Sequence, residues 1–203
     1  MAPRHVHRAL FHWDRTFLSQ EQYIKDLLDR FDAGSTLSKD LPFKLDESDV
    51  PDKSSPADRT SFASLVGSLL YAAIGTRPDI AQTVNKLCQK MHSPSLQDHE
   101  RAIWCLRYLR GTPTWGLLYE ASHPLLCYCD SDWGNSDPER HSRSGYVILS
   151  NKGPLEYQST LQRVQALSSA EAEYMALCAA TKSLNYIIQV LHQFGEPPSL
   201  PIT

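Results

Sequence analysis

The sequence predicts a mixed chain, α+β or α/β, in which a small helical region is followed by a β-β-β-α unit. Three observations predict it. Up to Gly111, apolar residues recur at i, i+3, i+4 and i+7 in separate stretches, the period of helices that bury one face. From Leu117 the pattern shortens to brief apolar runs parted by polar turns, as strands require. A last helical pattern, Ser169 to Phe194, closes on Gly195 and Pro197-Pro198.

The 203 residues suffice for one ordinary domain or two small ones. With 41% hydrophobic and 21% charged residues the chain is not wholesale disordered. No apolar run approaches the roughly 20 residues that span a bilayer, so no membrane partner is expected. The start, Met1 to Arg15, lacks the apolar core of a secretory signal. The five cysteines (Cys88, Cys105, Cys127, Cys129, Cys178) form no CxxC pair. An intracellular, reduced protein of cytoplasm or nucleus, not secreted, is expected. Residues 1–110 carry 15 basic and 14 acidic side chains, and residues 111–203 carry 5 and 9. Neither half shows the basic excess of a free-standing nucleic-acid-binding module.

Ala9 to Leu18 reads as a strand or hairpin. Ser19 with Gln22 forms a capping-box pattern that opens a helix, with Ile24, Leu27, Leu28 and Phe31 on one face and Gly34 as its stop. Residues 34–57, rich in Ser, Asp and Pro, read as a linker or crossing segment. Three helices follow. The first, Pro56 to Ile74, carries Phe62, Leu65, Val66, Leu69 and Leu70. The second starts at Pro78, a favoured first-turn residue, with Ile80, Val84, Leu87, Cys88 and Met91 inward. The third, after residues 93–95, carries Ala102, Cys105, Leu106 and Leu109 and stops at Gly111. Leu125 to Cys129 then suits a strand buried on both faces. Gly145 to Ser150 and Leu155 to Ser159 read as two more strands, joined by a turn at Asn151-Lys152-Gly153.

Asp130 and Asp132 end the first of these strands, two apart and so on one side of it. A polar turn explains them as simply as a site does. Glu171 is accounted for by a capping box with Ser168. Glu173 shares a helical stripe with Leu177, Ala180, Leu184 and Ile188, which places it at the edge of the face expected to pack on the sheet. A strand-end carboxylate and a helix carboxylate can share a hard divalent cation, which takes oxygen ligands. No phosphate-binding glycine loop, HExxH pair or G-x-S-x-G elbow occurs in the chain. Cys127 and Cys129 alternate within a strand, as packing residues do.

Roughly the last 80 residues resemble the ribonuclease H domain of copia-type LTR retrotransposon Pol polyproteins. The matching stretches are Tyr128 to Trp133 (YCDSDW), Ser142 to Val147 (SRSGYV) and Ala166 to Ala176 (ALSSAEAEYMA). The upstream part resembles the end of the same elements' reverse transcriptase, its thumb-like and connection regions. The markers there are Leu18 to Ile24, Leu65 to Tyr71, Thr76 to Ile80 (TRPDI) and Tyr108 to Thr112 (YLRGT).

The resemblance implies two parts: residues 1–121, the C-terminal reverse transcriptase region with its linker at 34–57, and residues 122–203, a truncated, incomplete ribonuclease H-like fold. It implies Mg2+-dependent cleavage of the RNA strand of an RNA–DNA hybrid by two ions held by about four carboxylates. Asp130 and Glu173 match the strand and helix carboxylates, catalytic and metal-binding. Asp132 matches a non-catalytic position. The family's further carboxylates and its polymerase motif fall outside residues 1–203, Tyr157 stands where a Trp is usual, and Thr160-Leu161 stand where two lysines are usual. The expectation is a polyprotein fragment whose ion binding is weak and whose cleavage is lost. The alternative is a non-catalytic remnant kept as a binding or structural module, associating with other polyprotein segments. A helical interaction module with coincidental acids is the third reading.

Overall fold

A computed structural model describes residues 8–12, 14–33, 37–44, 56–121, 123–134 and 140–198. Among these the chain is mixed α/β, with five α-helices and two three-stranded sheets. It divides into two compact units: Met1–Leu10 with Phe17–Leu117, and Phe11–Thr16 with Leu118–Thr203.

The first unit is built on α1 (Glu21–Arg30), α2 (Arg59–Gly75), a 3-10 turn (Pro78–Ile80), α3 (Ala81–Gln89) and α4 (Leu96–Gly111). Their apolar stripes meet in one core. Ile24 and Leu27 of α1, Phe62, Leu65, Val66 and Leu69 of α2, Ile80, Val84, and Leu106 and Leu109 of α4 are all buried there. Each such side chain contributes roughly 1.5–3 kcal/mol by leaving water. The periodic reading holds for these helices, with Leu70 as an exception, since it remains partly exposed.

The helix starts differ in detail from the sequence expectation. Ser19 closes a strand, and the residue at the start of α1 is Gln20, which makes no side-chain cap bond. The cause is long-range: the buried Gln20 carboxamide accepts from Thr76 Oγ1 at 2.9 Å, and Gln22 Nε2 donates to Asp26 instead. At α2 the chain begins its helix past Pro56, with the Asp58 carboxylate accepting from the backbone N–H of Thr60 and Ser61. Ser95 and Asp98 form a complete capping box at α4.

Arg77 organises the turn between α2 and α3. Its side chain is 1% exposed. Nη2 donates to Asp79 Oδ2 at 2.7 Å and to Thr112 Oγ1 at 2.6 Å, Nε donates to Asp79 Oδ1 at 3.0 Å, and Nη1 donates to the Thr112 carbonyl at 2.8 Å. The Tyr108 phenol donates to the same Asp79 carboxylate at 2.7 Å. The guanidinium also lies 5.5 Å from the Tyr108 ring centroid and 5.9 Å from that of Trp115, within cation–π range. Two separate sequence markers, residues 76–80 and 108–112, are thus halves of one polar cluster.

Residues 37–44, inside the stretch expected to be a linker, lie along α4. Arg107 Nε donates to the Leu37 carbonyl and Trp104 Nε1 to that of Leu41, while Lys39 Nζ sits 4.0 Å over the Trp104 ring. Gly34 and residues 45–55 are outside the described residues.

Strands β1 (Arg8–His12), β2 (Arg15–Ser19) and β3 (Gly116–Glu120) form one sheet in that order, as the hairpin reading of Ala9 to Leu18 anticipates. A Cβ at Gly116 would land on the Leu18 carbonyl, so β2 and β3 approach closely there only because residue 116 is glycine. In the second unit, Glu120 is held by Arg15 Nε at 3.0 Å and Lys152 Nζ at 2.6 Å.

The second sheet is an antiparallel meander of β4 (Leu126–Asp132), β5 (Arg143–Ser150) and β6 (Gly153–Leu161), followed by α5 (Ser169–Gln193). The order β-β-β-α follows the sequence reading. Asn151 and Lys152 both have positive φ, 52° and 63°, the backbone that a two-residue hairpin needs to match strand twist. At its far end α5 closes with Gly195 at φ 77°, Gly195 N–H bonding to the His192 carbonyl and Glu196 N–H to that of Leu191, a Schellman motif.

α5 packs on one face of this sheet, around Ile148, Tyr146, Ala180 and Ile187 with Cys127 and Cys129. Tyr128, expected to be buried, is 57% exposed. Among the described residues α5 covers one face of the sheet, so β4 alternates rather than being buried on both sides. The buried residues of α5 are Ala172, Ala176, Ala180 and Ile187; of the expected stripe Ala180, Leu184 and Ile188 pack against the sheet, whereas Glu173 is exposed and Leu177 half exposed.

Removing Asp79 would leave a guanidinium buried without its counter-charge. Asp79→Ala is expected to cost about 3–5 kcal/mol in urea unfolding. Burial, and then the hydrogen bond to Asp79, push the Tyr108 phenol from 10.0 up to about 12, and burial pushes the Cys105 thiol from 9.0 up to about 12. The fold therefore favours both neutral forms. Their contribution is fully present below pH 9, and it is lost as pH rises through about 12. Alkaline unfolding followed by circular dichroism should fall in that window, and Tyr108→Phe should shift it.

Candidate functional site

Asp130 lies within β4, opposite Gly145 of β5, so no cross-strand side chain faces its carboxylate. Asp132 stands opposite Arg143. Cys127 and Cys129 turn toward α5, and Ser131 continues that set. Tyr128, Asp130 and Asp132 make the exposed set between them.

Glu173 lies early in α5 and is exposed, beside fully buried Ala172. Ser168 Oγ accepts from the Glu171 N–H at 3.1 Å, while Glu171 Oε2 accepts from the N–H of Leu167 at 2.7 Å. The expected capping box is made with its return bond moved one residue upstream.

One side chain ties the two elements together. Gln162, just past β6 and 7% exposed, donates through Nε2 to Ser131 Oγ at 3.3 Å, to Ser144 Oγ at 2.9 Å and to the Ala172 carbonyl at 3.0 Å. These three residues adjoin Asp130, Gly145 and Glu173. Its own backbone is fixed as well, since its N–H bonds to the Ser142 carbonyl at 2.8 Å. A second polar junction lies further along α5. There Tyr146 and Ser183 hydroxyls both donate to Glu156 Oε1, at 2.6 and 2.8 Å. Burial first, and then the bond to Glu156, raise the Tyr146 phenol above its ordinary value.

Asp130 and Glu173 are oxygen donors of the kind Mg2+ takes. Among the described residues no group of three or more His, Cys, Asp or Glu side chains could hold a metal ion. Asp130, alternating with the β4 residues that turn toward α5, and Glu173, on α5 itself, form no such group.

Comparison with known proteins decides the family. The Pol polyprotein of transposon TNT 1-94 of Nicotiana tabacum is 34% identical over 190 residues, 89% of this chain. That of transposon RE1 of Arabidopsis thaliana is 33% identical over 182 residues, 88% of the chain. An uncharacterized mitochondrial protein of Arabidopsis thaliana is 35% identical over 176 residues, 84% of this chain and 71% of its own length. The chain belongs to the copia-type retrotransposon Pol family. It spans 14% and 12% of the two Pol polyproteins. No family model and no solved structure matches this Pol segment. No described helix of the Pol segment is long and apolar enough to cross a membrane.

Sequence reasoning missed Gln162. Its only signal is a polar residue after an apolar strand, and nothing in the linear pattern shows which three acceptors converge on it. Both carboxylates of the Pol segment are exposed and free of structural duty, so Asp130→Asn and Glu173→Gln should each move the melting free energy by less than about 0.5 kcal/mol. Thermal melts of both variants check this, and establish them as probes of chemistry rather than folding.

Proposed function

We propose that the chain is a Pol polyprotein segment running from the end of a reverse transcriptase, residues 1–121, into the front of a ribonuclease H-like domain, residues 122–203. The supporting observation is that identity of 33–35% to its relatives covers 84–89% of the chain and so extends through both parts. The whole family's activity is RNA-directed DNA synthesis with cleavage of RNA in RNA–DNA hybrids. In this reading the second unit faces a hybrid, other polyprotein segments are its partners, and the protein works inside the cell.

Asp130 and Glu173 are the residues that would hold Mg2+. When bound, the ion would polarise the scissile phosphate and lower the pKa of an attacking water. The chain's own part is to offer two exposed carboxylates on β4 and α5, with Gly145 leaving room across the ladder from Asp130. Two carboxylates are fewer than the about four implied for a two-ion site, and the segment taken alone is a binding or structural piece rather than a nuclease.

Incubation of the chain with a labelled RNA–DNA hybrid and Mg2+ should give no cleavage above buffer. Robust cleavage that disappears in Asp130→Asn and in Glu173→Gln would overturn the non-catalytic reading and assign the activity to those carboxylates.

A further inference from the structure

We infer that the turn between β5 and β6 is a latch: it seats the end of β3 and, while seated, keeps the backbone at Glu120 and Ala121 closed to proteases. The latch lies within the second unit. The reading of residues 1–121 and 122–203 as two parts enters only in naming this backbone as their connection.

The first observation is the reason for a glycine at position 153. The left-handed backbone angles of the turn fall on Asn151 and Lys152, not on Gly153, so the turn itself does not require glycine there. The Tyr119 ring does: a Cβ on the buried Gly153 would overlap it. The ring is seated on the bare Cα, and its phenol donates to the Pro154 carbonyl at 2.8 Å.

The second is that the same turn satisfies the backbone leaving β3. Glu120 N–H donates to the Asn151 carbonyl at 2.7 Å, and His123 N–H donates to Asn151 Oδ1 at 3.3 Å. Ala121 N–H donates to the Asp14 carbonyl at 2.9 Å. The third is that Lys152, a residue that gains nothing intrinsically from a positive φ, is held there with Nζ 2.6 Å from Glu120 Oε2. The Arg15 and Lys152 side chains are 67% and 55% exposed, and such surface ion pairs contribute little. The ring seat and the three backbone donors therefore carry the latch. A protease needs this backbone freed from its hydrogen bonds, so its rate follows the population in which the latch is open.

The test treats the full chain with a glutamyl endopeptidase and follows cleavage of the Glu120–Ala121 bond by mass spectrometry. A synthetic peptide of residues 116–125 serves as the unprotected reference. The chain should be cut there far more slowly than the peptide; equal rates would overturn the inference. Gly153→Ala should speed this cleavage about tenfold, while cleavage after Glu173 in the same unit stays unchanged. A parallel rise after Glu173 would show general loosening and sink the latch. Tyr119→Ala should also speed cleavage, and adding Gly153→Ala to it should change the rate by less than about twofold. An equal effect of Gly153→Ala with and without the Tyr119 ring would make Gly153 a requirement of the turn alone, against the inference. Should Gly153→Ala fail to fold by circular dichroism, Asn151→Gly keeps the positive φ and removes the acceptor for His123 N–H. It should speed cleavage after Glu120 about threefold, and an unchanged rate would count against the turn as the latch.

Discussion

A guanidinium buried to 1% exposure is the constraint on which the first unit depends. Arg77 cannot lose its charge, so folding must bring it a counter-charge and acceptors for its N–H groups. Asp79 supplies the first from two residues away, and Thr112 supplies two more acceptors from the end of α4. The end of α2, the 3-10 turn and the end of α4 are therefore fixed by one residue. Apolar packing among these helices is non-directional; the planar fork of Arg77 gives it an angle.

The second unit is ordered by a different device. The buried side of α5 opens with three alanines spaced four apart, so its first turns offer the sheet little side-chain volume, while Ile187 with Leu184, Ile188 and Leu191 fills the later turns. Direction is restored by polar junctions at two levels, Gln162 near the start of the helix and the Tyr146–Glu156–Ser183 group further along. Methyl groups permit the approach, and hydrogen bonds fix the register. Sequence periodicity registers the alanines only weakly and the junctions not at all.

Helices with Leu, Ile and Phe stripes were legible because hydrophobic period is a local property: Phe62, Leu65 and Leu69 declare a face without reference to anything distant. So was the β-β-β-α order, from the short apolar runs and the Asn151-Lys152-Gly153 turn. Ser19 and Gln22 misled because a capping motif competes with strand pairing and with a partner 56 residues away, Thr76. Tyr128 misled because an apolar run cannot reveal that, among the described residues, one face of its sheet is left open. Of the candidate site, the carboxylates Asp130 and Glu173 could be named from motifs, whereas Gln162 depends on three residues converging from different parts of the chain. The same holds for Arg77, whose motif was visible but whose burial was not.

The alanine stripe on α5 has a consequence for how the molecule opens. Alanine burial removes far less apolar surface than the Phe, Leu and Ile side chains of the first unit, and hydrogen-bonded junctions contribute modestly in net terms. The first turns of α5 are accordingly expected to open at a smaller free energy than its later turns, where Ile187 is buried with Leu184, Ile188 and Leu191 packed beside it. In a longer polyprotein, those turns would respond first to whatever neighbours them, making the start of α5 the adjustable part of its unit.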